Sequence, residues 1–282
     1  MLEALSTVAV SRENNMRAAQ RGLVMRSTFL AIIGLIPINF VKIVLYRTFF
    51  HFSITRRCRI GMCIILCDKI TLEEGASIGN FNIISNTRKL VMKTGSCLGS
   101  GNIIKNLNTL TIAQGARIGN GNHFSRDPIL GLSGNFTLGR NSMITARHLF
   151  DVTDDISIGD DTVIAGNGTQ FWTHGFDICR NGIVAPIHIK NGCYFGSSCL
   201  VNLGVTVESD NQIAFGTVVS KSITTRFGFW TSNQLVRKKD CLNVSEEKNY
   251  VIDGSFTTVP LYHKYSKALS TEAMAEFSTC LI

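Results

Sequence analysis

The chain of 282 residues is long enough for one large domain or two small ones, and it carries 28 Lys and Arg against 20 Asp and Glu, a formal net charge of +8. This basic excess suits coenzyme phosphates, an anionic membrane face or an acidic saccharide as partners. Basic residues do not alternate with aromatic ones along the repeats described below, so we expect no nucleic-acid partner. The nine cysteines form no Cys-x-x-Cys pair and residues 1–15 do not resemble a signal peptide, which together predict a cytoplasmic protein with free thiols.

The N-terminal segment, residues 1–59, contains an apolar run at residues 27–46 with arginines on both sides. Pro37, Asn39 and Lys42 interrupt this run, which makes a membrane-spanning helix a marginal fit. Two other interpretations are a helix lying in the membrane plane and a helical cap that packs on the end of the following region. The sequence predicts a helical, membrane-proximal extension and leaves the three alternatives open, peripheral association with the inner face of the membrane among them.

From residue 72 to residue 164 the sequence repeats every twenty residues. Glycine recurs at this spacing, each time after Ile or Leu, at Gly79, Gly99, Gly119, Gly139 and Gly159. Apolar residues recur with the same spacing at two further positions, six residues before and six residues after the Ile or Leu that precedes each glycine. The column six residues before ends with Leu132 and Val152. A small or polar column follows at Asn82, Asn102, Asn122, Ser142 and Thr162. Twenty is three sixes plus two, so each repeat predicts one turn of a coil with three short flat sides.

Stacked turns of this kind satisfy one another's backbone groups through parallel hydrogen bonds about 4.8 Å apart, whereas one turn alone cannot bury its apolar face. A six-residue period does not fit an α-helix, and an antiparallel sandwich would not hold a 20-residue register. The predicted fold is therefore an all-β solenoid over residues 60–222. It follows the short helical extension and precedes a mixed C-terminal extension, residues 223–282.

The register breaks after Ile164 and returns at Ile189, and we predict that residues 169–188 form an active-site loop that leaves the solenoid. The loop contains His174, whose imidazole has the unperturbed pKa of a general base near neutral pH. The carboxylates that could orient this ring are Asp177, Asp151, Asp154 and Asp155, and the sequence does not choose between them. From Ile189 onward an apolar residue recurs every six residues without additional residues, which predicts complete turns of eighteen residues.

The other histidines of the repeats are interpreted mainly as face or corner residues. His148 is kept as a second candidate for the base, because it precedes acidic residues and lies one turn from the loop. The positions of His123, His148 and His174 do not match a 20-residue turn, and no close pair of histidines occurs. We therefore expect no metal site.

The pattern aliphatic–Gly–x–x–small–x resembles the hexapeptide repeat of left-handed parallel β-helix acyltransferases, over roughly residues 58–222. Residues 169–222 are most similar to the final part of sugar and xenobiotic O-acetyltransferases, with a His-containing loop, then Gly-Val-Thr-Val, then Ile-Ala-x-Gly-Thr-Val-Val. The resemblance implies a left-handed coil, a homotrimer with active sites between subunits, and acetyl-CoA as co-substrate. It also implies that His174 is the catalytic base.

By the same resemblance the last turns hold the coenzyme. Tyr194 falls beside the coenzyme arm, and the pantetheine chain follows the small residues Ala214, Gly216 and Thr217. The Pro-Ala that relatives carry after this region is missing here. Lys221 and Lys238 are expected to bind the coenzyme phosphates, with a solvated basic face as the alternative.

These observations predict an acetyl-CoA-dependent O-acetyltransferase acting on a sugar hydroxyl of a surface polysaccharide or its precursor. The residues expected to bind the acceptor are Trp172, Asp177, Asn167 and His148. Two alternatives are retained: a non-catalytic β-solenoid that binds saccharide or scaffolds an assembly, and an amino-sugar N-acetyltransferase.

Overall fold

The computed structural model describes residue 22 and residues 24–232 and 257–259. These residues form a parallel β-solenoid of about nine turns with two helices at its N-terminal end. The predicted all-β solenoid with a short helical N-terminal extension is confirmed, and the coil is consistent with the left-handed parallel β-helix that the resemblance implies. Apart from residues 257–259, the part of the C-terminal extension beyond residue 232 lies outside the described residues.

The N-terminal extension folds back on the first turn of the coil as two helices, α1 (residues 24–35) and α2 (Asn39–Phe50). Pro37 lies in the short connection between them. The inner faces of the helices bury Leu30, Ile33, Ile43 and Tyr46 in the same apolar core as the coil. Among the described residues, neither helix has both the length and the apolar character that crossing a bilayer requires. Of the three interpretations of this segment, the helical cap is therefore the one that matches how the two helices pack on the coil.

One flat side of the coil is a parallel sheet of nine short strands, one from each turn. With strands numbered in chain order, this side consists of β2 (Arg59–Ile60), β4 (Ser77–Ile78), β6 (Cys97–Leu98), β9 (Arg117–Ile118), β12 (Met143–Ile144), β15 (Val163–Ile164), β20 (Tyr194–Phe195), β23 (Gln212–Ile213) and β25 (Phe229–Trp230).

The other two sides form one sheet of 14 strands, because β3 and β5 continue around the corner between them. Its strands are β1 (Ser53–Ile54), β3 (Ile64–Leu72), β5 (Ile83–Met92), β7 (Ile103–Lys105), β8 (Thr109–Ile112), β10 (His123–Ser125), β11 (Asn135–Leu138), β13 (Leu149–Asp151), β14 (Ile156–Ile158), β16 (Gln170–Trp172), β19 (Ile187–Ile189), β21 (Leu200–Val201), β22 (Thr206–Val207) and β24 (Val218–Val219). A separate sheet contains β17 (His174–Phe176), β18 (Gly182–Val184) and β26 (Thr257–Val259), paired antiparallel in that order.

The core is a set of apolar columns, because parallel pairing in register places like residues over like residues. In the middle of the coil the column is aromatic. The ring centroids of Phe124 and Phe150 lie 4.6 Å apart, and those of Phe150 and Phe171 lie 5.0 Å apart. Rings stacked in this way strengthen a core beyond the area that they bury, and they underlie the part of the coil from which the candidate site projects.

The predicted 20-residue register is wrong across one turn: the strands on either side of residues 126–134 pair 26 positions apart, and the 20-residue spacing then resumes between β11 and β14 and between β12 and β15. Strand β11 pairs with β8, and β12 pairs with β9, so Ile144 lies on Ile118, 26 positions earlier, and Gly139 does not stack on Gly119. The six additional residues belong to a loop, residues 126–134, that leaves the coil. Because six residues are also the length of one side of a turn, the insertion preserves the apolar spacing and the sequence continues to look regular. Leu132, which the columns placed in the core, is 37% exposed.

A second insertion follows β15, where Ile164 pairs with Phe195, 31 positions later. Phe171 takes the next core position on Phe150, one residue beyond the expected position of Gln170. The remaining additional residues form the β17–β18 hairpin. After it, the pairs β19–β22, β20–β23 and β21–β24 are each 18 positions apart, which confirms the prediction of eighteen-residue turns.

Buried asparagines at one corner of the coil form a ladder that joins successive turns. Asn82 Oδ1 accepts from the backbone N–H and the amide of Asn102, and Asn102 Oδ1 accepts from the same groups of Asn122.

We expect Asn102→Ala to destabilise the fold by about 1–3 kcal/mol, because it leaves the buried N–H of Asn122 without a partner. Urea unfolding followed by circular dichroism measures this, with Asn120→Ala as the matched control, because the Asn120 side chain is exposed and accepts from the backbone N–H of Ser100 on the preceding turn. Equal stabilities of the two variants would contradict the ladder's role.

Candidate active site

Both insertions leave the coil at neighbouring turns and pack against each other. Leu130 of the first loop lies in a small apolar cluster with Val184 and Phe176 of the hairpin. The contact places the two excursions over the same part of the coil, where β13 and β16 pair. His174 begins the hairpin, directly after Thr173.

His174 is held by Asp151, the last residue of β13. The Nδ1 atom of His174 lies 2.6 Å from Oδ2 of Asp151, and the backbone N–H of His174 donates to the same oxygen at 3.1 Å. Because an ionised carboxylate only accepts hydrogen bonds, the neutral ring carries its proton on Nδ1 and leaves Nε2 as the free lone pair. Of the carboxylates that the sequence left open, Asp151 is therefore the one that orients the ring.

Asp151 is almost fully buried, and threonines satisfy its remaining lone pairs. Thr153 Oγ1 donates to Oδ1 at 2.7 Å, and Thr173 donates to Oδ2 through its N–H at 2.9 Å and its hydroxyl at 3.1 Å. Burial alone would raise the pKa of Asp151, but the hydrogen bonds from His174, Thr153 and Thr173 outweigh burial and lower it. Asp151 therefore remains a carboxylate beside the ring.

A second carboxylate, Asp127, approaches the opposite nitrogen of the ring. Its Oδ2 lies 3.5 Å from Nε2 of His174, while its Oδ1 accepts from the backbone N–H groups of Ile129 and Leu130. Asp127 belongs to the loop of residues 126–134. The sequence did not reveal this residue, because the insertion keeps the six-residue spacing of the apolar residues.

The two carboxylates set the protonation of His174. Burial lowers the pKa of the ring, but the hydrogen bond to Asp151 and the negative charges of Asp151 and Asp127 outweigh burial, so the net shift is upward. The two acids thus stabilise the imidazolium form relative to an isolated ring. A ring in this position can take a proton from a hydroxyl that approaches Nε2, and the resulting charge is stabilised where it forms.

His148, the second candidate for the base, is 1% exposed and both of its ring nitrogens are bonded within the fold. Its Nδ1 accepts from the backbone N–H of Thr169 at 3.1 Å, and its Nε2 lies 3.0 Å from Oγ1 of Thr145. Burial lowers the pKa of His148 to about 4. This geometry gives His148 a structural role as a neutral bridge between turns.

The other residues expected to bind the acceptor are spread around the hairpin. Trp172 is 36% exposed, and its ring centroid lies 6.0 Å from that of His174. Asp177 lies at the hairpin tip, where its two oxygens accept from the backbone and amide of Asn181. Asn167 is exposed at a corner of the coil, and its carbonyl accepts from Ser198. Among the described residues, Trp172 is the one of these three whose side chain contacts the His174 ring.

The residues expected to bind coenzyme lie on the last turns. Tyr194 is 45% exposed and lines a groove of about 420 Å³ with Gln212 and Phe229. Thr217 and Lys221 line a second groove of about 560 Å³ at the open end of the coil. The Thr217 hydroxyl is buried and has no hydrogen-bond partner among the described residues.

Ala214 and Gly216 both donate their backbone N–H groups to neighbouring turns, at 2.8 Å each. Lys238 lies outside the described residues. Within the part of the chain that the structure describes, no group of three or more His, Cys, Asp or Glu residues is arranged to hold a metal ion.

Fold and site together define a parallel β-solenoid in which two expelled loops enclose a histidine between two carboxylates. No protein-family model matches the chain. Over 96 residues it is 33% identical to galactoside O-acetyltransferase of Escherichia coli strain K12, a match that covers 32% of this chain and 46% of that protein. The chain thus spans about half the length of this curated relative. The local similarity and the observed solenoid confirm the resemblance to hexapeptide-repeat acyltransferases.

A solved structure, that of the polySia-specific acetyltransferase NeuO, is similar at 17% sequence identity with a TM-score of 0.32, covering 66% of this chain and 94% of that one. A similarity this low supports no inference about fold or activity. The solenoid is established by its own strand pairing.

Proposed function

We propose that the chain is an O-acetyltransferase that moves the acetyl group of acetyl-CoA to a sugar hydroxyl, with His174 as general base. The observation that carries this proposal is the ring's environment. Nδ1 is fixed by the buried Asp151 at 2.6 Å, and Nε2, on the opposite side of the ring, lies 3.5 Å from Oδ2 of Asp127 in the first loop. A general base requires this fixed tautomer and an accessible lone pair.

In the proposed reaction Nε2 of His174 takes the proton of the acceptor hydroxyl while the hydroxyl oxygen attacks the thioester carbonyl. The tetrahedral intermediate then collapses with cleavage of the carbon–sulfur bond, and the imidazolium returns its proton to the leaving thiolate. The products are the sugar ester and free coenzyme A thiol. No covalent enzyme intermediate is required, so no Ser or Cys nucleophile is needed.

The acceptor is proposed to be a hydroxyl of a surface polysaccharide or its precursor. The local similarity to a protein named galactoside O-acetyltransferase supports a sugar acceptor and favours O-acetylation over N-acetylation of an amino-sugar. The half-exposed Trp172 beside His174 offers an aromatic face on which the apolar side of a sugar ring packs.

The proposal places the coenzyme along the last turns, in the grooves that Tyr194, Thr217 and Lys221 line, where the unpaired Thr217 hydroxyl is available to a ligand. The proposal further holds that the protein assembles as a homotrimer and is located in the cytoplasm. The location is supported by the described cysteines of the coil, such as Cys58, Cys193 and Cys199, which are thiols.

Thermal unfolding with and without acetyl-CoA tests the proposal against a non-catalytic solenoid. A ligand that binds the native state at 100 times its Kd stabilises that state by about 2.7 kcal/mol, so we expect a clear rise in Tm. Thr217→Val, which removes the unpaired hydroxyl and keeps the shape of the side chain, is expected to reduce the rise. An unchanged Tm of the wild-type protein at saturating acetyl-CoA would favour the scaffold alternative.

Asp127→Asn is expected to shift the pH dependence of the reaction. The charge of Asp127 helps to raise the pKa of His174, so its removal lowers that pKa, and the neutral, active base then persists to lower pH. The acid limb of the kcat/KM profile should move to lower pH, and the imidazole resonances of His174 in an NMR titration should move with it. Asp161→Asn, at an exposed corner, is the control that leaves both curves in place. Coincident curves for wild type and Asp127→Asn would show that Asp127 does not face the ring in solution.

A further inference from the structure

The outward side of the two N-terminal helices is apolar, although it faces solvent. We call this surface the cap face, and its large side chains, each at least 36% exposed, are Val24, Met25, Phe29, Ile32, Leu35, Ile38, Phe40, Val41, Val44 and Phe49. The rings of Phe29 and Phe49 lie 5.4 Å apart, which joins α1 and α2 into one continuous surface. A contiguous apolar surface of this kind marks a site of interaction.

Two polar side chains of α2, Asn39 and Lys42, point the other way, into the coil. Asn39 donates to the carbonyl of Cys58 and accepts from the N–H of Ile60, and Lys42 is 1% exposed with its Nζ 2.5 Å from the carbonyl of Gly61. A helix on a water-exposed surface shows the reverse arrangement, with polar residues outward. The outward side of α2 therefore has the composition of a buried surface.

Helix α1 is held against the coil closely enough to fix the cap face. The carbonyl of Gly34 accepts from the N–H of Cys63 at 3.1 Å, and a Cβ at position 34 would lie 2.0 Å from the Cys63 carbonyl oxygen. Only glycine permits this approach. The apolar outer surface is therefore presented by a rigid cap on the end of the coil.

The charge of the surrounding segment has a single sign. Residues 14–67 contain eight Lys and Arg and no Asp or Glu, so this segment alone equals the net charge of +8 of the whole chain. Arg47 lies in the last turn of α2, and Arg56, Arg57 and Arg59 are exposed on the first turn of the coil, which α2 contacts. Arg57 forms an ion pair with Glu74, and Arg47, Arg56 and Arg59 give the apolar cap face its cationic border.

The length of the helices decides how such a surface meets a bilayer. A helix of 12 residues, such as α2, is about 18 Å long, whereas the hydrocarbon core of a bilayer is about 30 Å thick. An apolar face of this length with a basic border suits a helix that lies in the plane of the interface, where anionic lipid headgroups neutralise the arginines.

We propose that the cap face docks the protein on an anionic lipid bilayer, with α1 and α2 in the interfacial plane and the coil standing away from the membrane. His174 lies at the sixth turn of the coil, five turns from the cap, and at about 4.8 Å per turn it stands about 24 Å above the first turn. The inference rests on the cap alone and does not depend on the proposed acetyl transfer.

Co-sedimentation of the full chain with lipid vesicles tests this inference. We expect binding to vesicles of equal parts phosphatidylglycerol and phosphatidylcholine, weak binding to phosphatidylcholine alone, and weaker binding at high salt. Phe40→Glu, at a side chain 75% exposed, should lower the partition coefficient by about tenfold or more. Arg47→Gln and Arg56→Gln should each lower it by about fivefold.

The matched control is Phe227→Glu, which replaces an equally exposed phenylalanine, 78%, on the last turn. Its partition coefficient should equal that of the wild type, and circular dichroism confirms the fold of each variant. The inference is overturned if the wild type does not bind anionic vesicles, or if Phe40→Glu binds as well as Phe227→Glu. It is also overturned if Phe40→Glu changes only the oligomeric state on gel filtration, since the cap face would then bind a second copy of the chain.

Discussion

His174→Ala should lower kcat for acetyl transfer by about 10²–10⁴, while acetyl-CoA still raises Tm as it does in the wild-type protein. A positioned general base contributes a rate factor of this size, and the ring has no part in the proposed coenzyme grooves. The side chain lies at the start of β17 and is partly exposed, so its removal leaves the solenoid core unchanged. Initial rates of acceptor-dependent thiol release measure the effect.

The matched control is His123→Gln. His123 lies on β10, on the same side of the coil, and burial together with the charge of Lys105 lowers its pKa. We expect its kcat to equal that of the wild type. Equal rates for wild type and His174→Ala would exclude His174 as the base, and a parallel loss of rate in both variants would point to a structural cause.

Asp151→Asn should have an effect of comparable size, about 10²–10⁴ in kcat. The amide still fits the pocket, but its NH₂ group can donate to Nδ1 and favour the tautomer with the proton on Nε2, which cannot act as a base. A buried aspartate that fixes the tautomer of a catalytic histidine has an effect of this order in serine proteases. Initial rates of thiol release measure the change, and the NMR titration of His174 supplies an independent readout, because loss of the carboxylate lowers the pKa of the ring.

Asp177→Asn serves as the comparison, because the sequence alone leaves Asp177 and Asp151 equally eligible as the carboxylate that orients His174. Asp177 is similarly buried, but it bonds to Asn181 at the hairpin tip. We expect its rate to stay within a few-fold of the wild type, since the hydrogen bonds of the Asp177 carboxylate are made with Asn181 at the hairpin tip. A larger loss in Asp177→Asn than in Asp151→Asn would reverse the assignment of the orienting carboxylate.

The solenoid could be predicted from the sequence because its cause is local and repeated. Each turn must place an apolar residue on each side and a small or polar residue at a corner, and stacking in register multiplies that requirement over many turns. The asparagine ladder shows the same logic, since Asn82, Asn102 and Asn122 each bond to the next turn. A departure from the coil after Ile164 was predictable for the opposite reason, because its residues break the rule. The predicted bounds of 169–188 were too wide, since residues 170–172 and 187–188 belong to the coil strands β16 and β19.

The first loop, residues 126–134, could not be predicted, because an insertion of six residues does not change the phase of an apolar pattern that repeats every six residues. The columns therefore ran through residues 126–134 as if they were one side of a turn. Asp127 and its approach to Nε2 of His174 were hidden as a result. Only the pairing of whole strands reveals that Ile144 lies on Ile118.

The N-terminal run was ambiguous for a different reason. Pro37, Asn39 and Lys42 looked like interruptions of a membrane helix, and composition alone cannot say which side of a helix meets protein. The structure shows that Asn39 and Lys42 bind the first turn of the coil while Phe40 faces outward. The polar residues within the apolar run therefore mark the side of the helix that contacts the coil.

The most direct test of the proposed function is acceptor-dependent acetyl transfer by the wild-type chain. Acetyl-CoA would be incubated with methyl β-D-galactopyranoside and a panel of other methyl glycosides, with thiol release and the mass of each sugar measured together. We expect thiol release that requires a sugar and that equals, mole for mole, the sugar carrying one additional acetyl group. Thiol release that is independent of the sugar, or a protein that neither binds acetyl-CoA nor acetylates any sugar, would contradict an acetyltransferase site at His174.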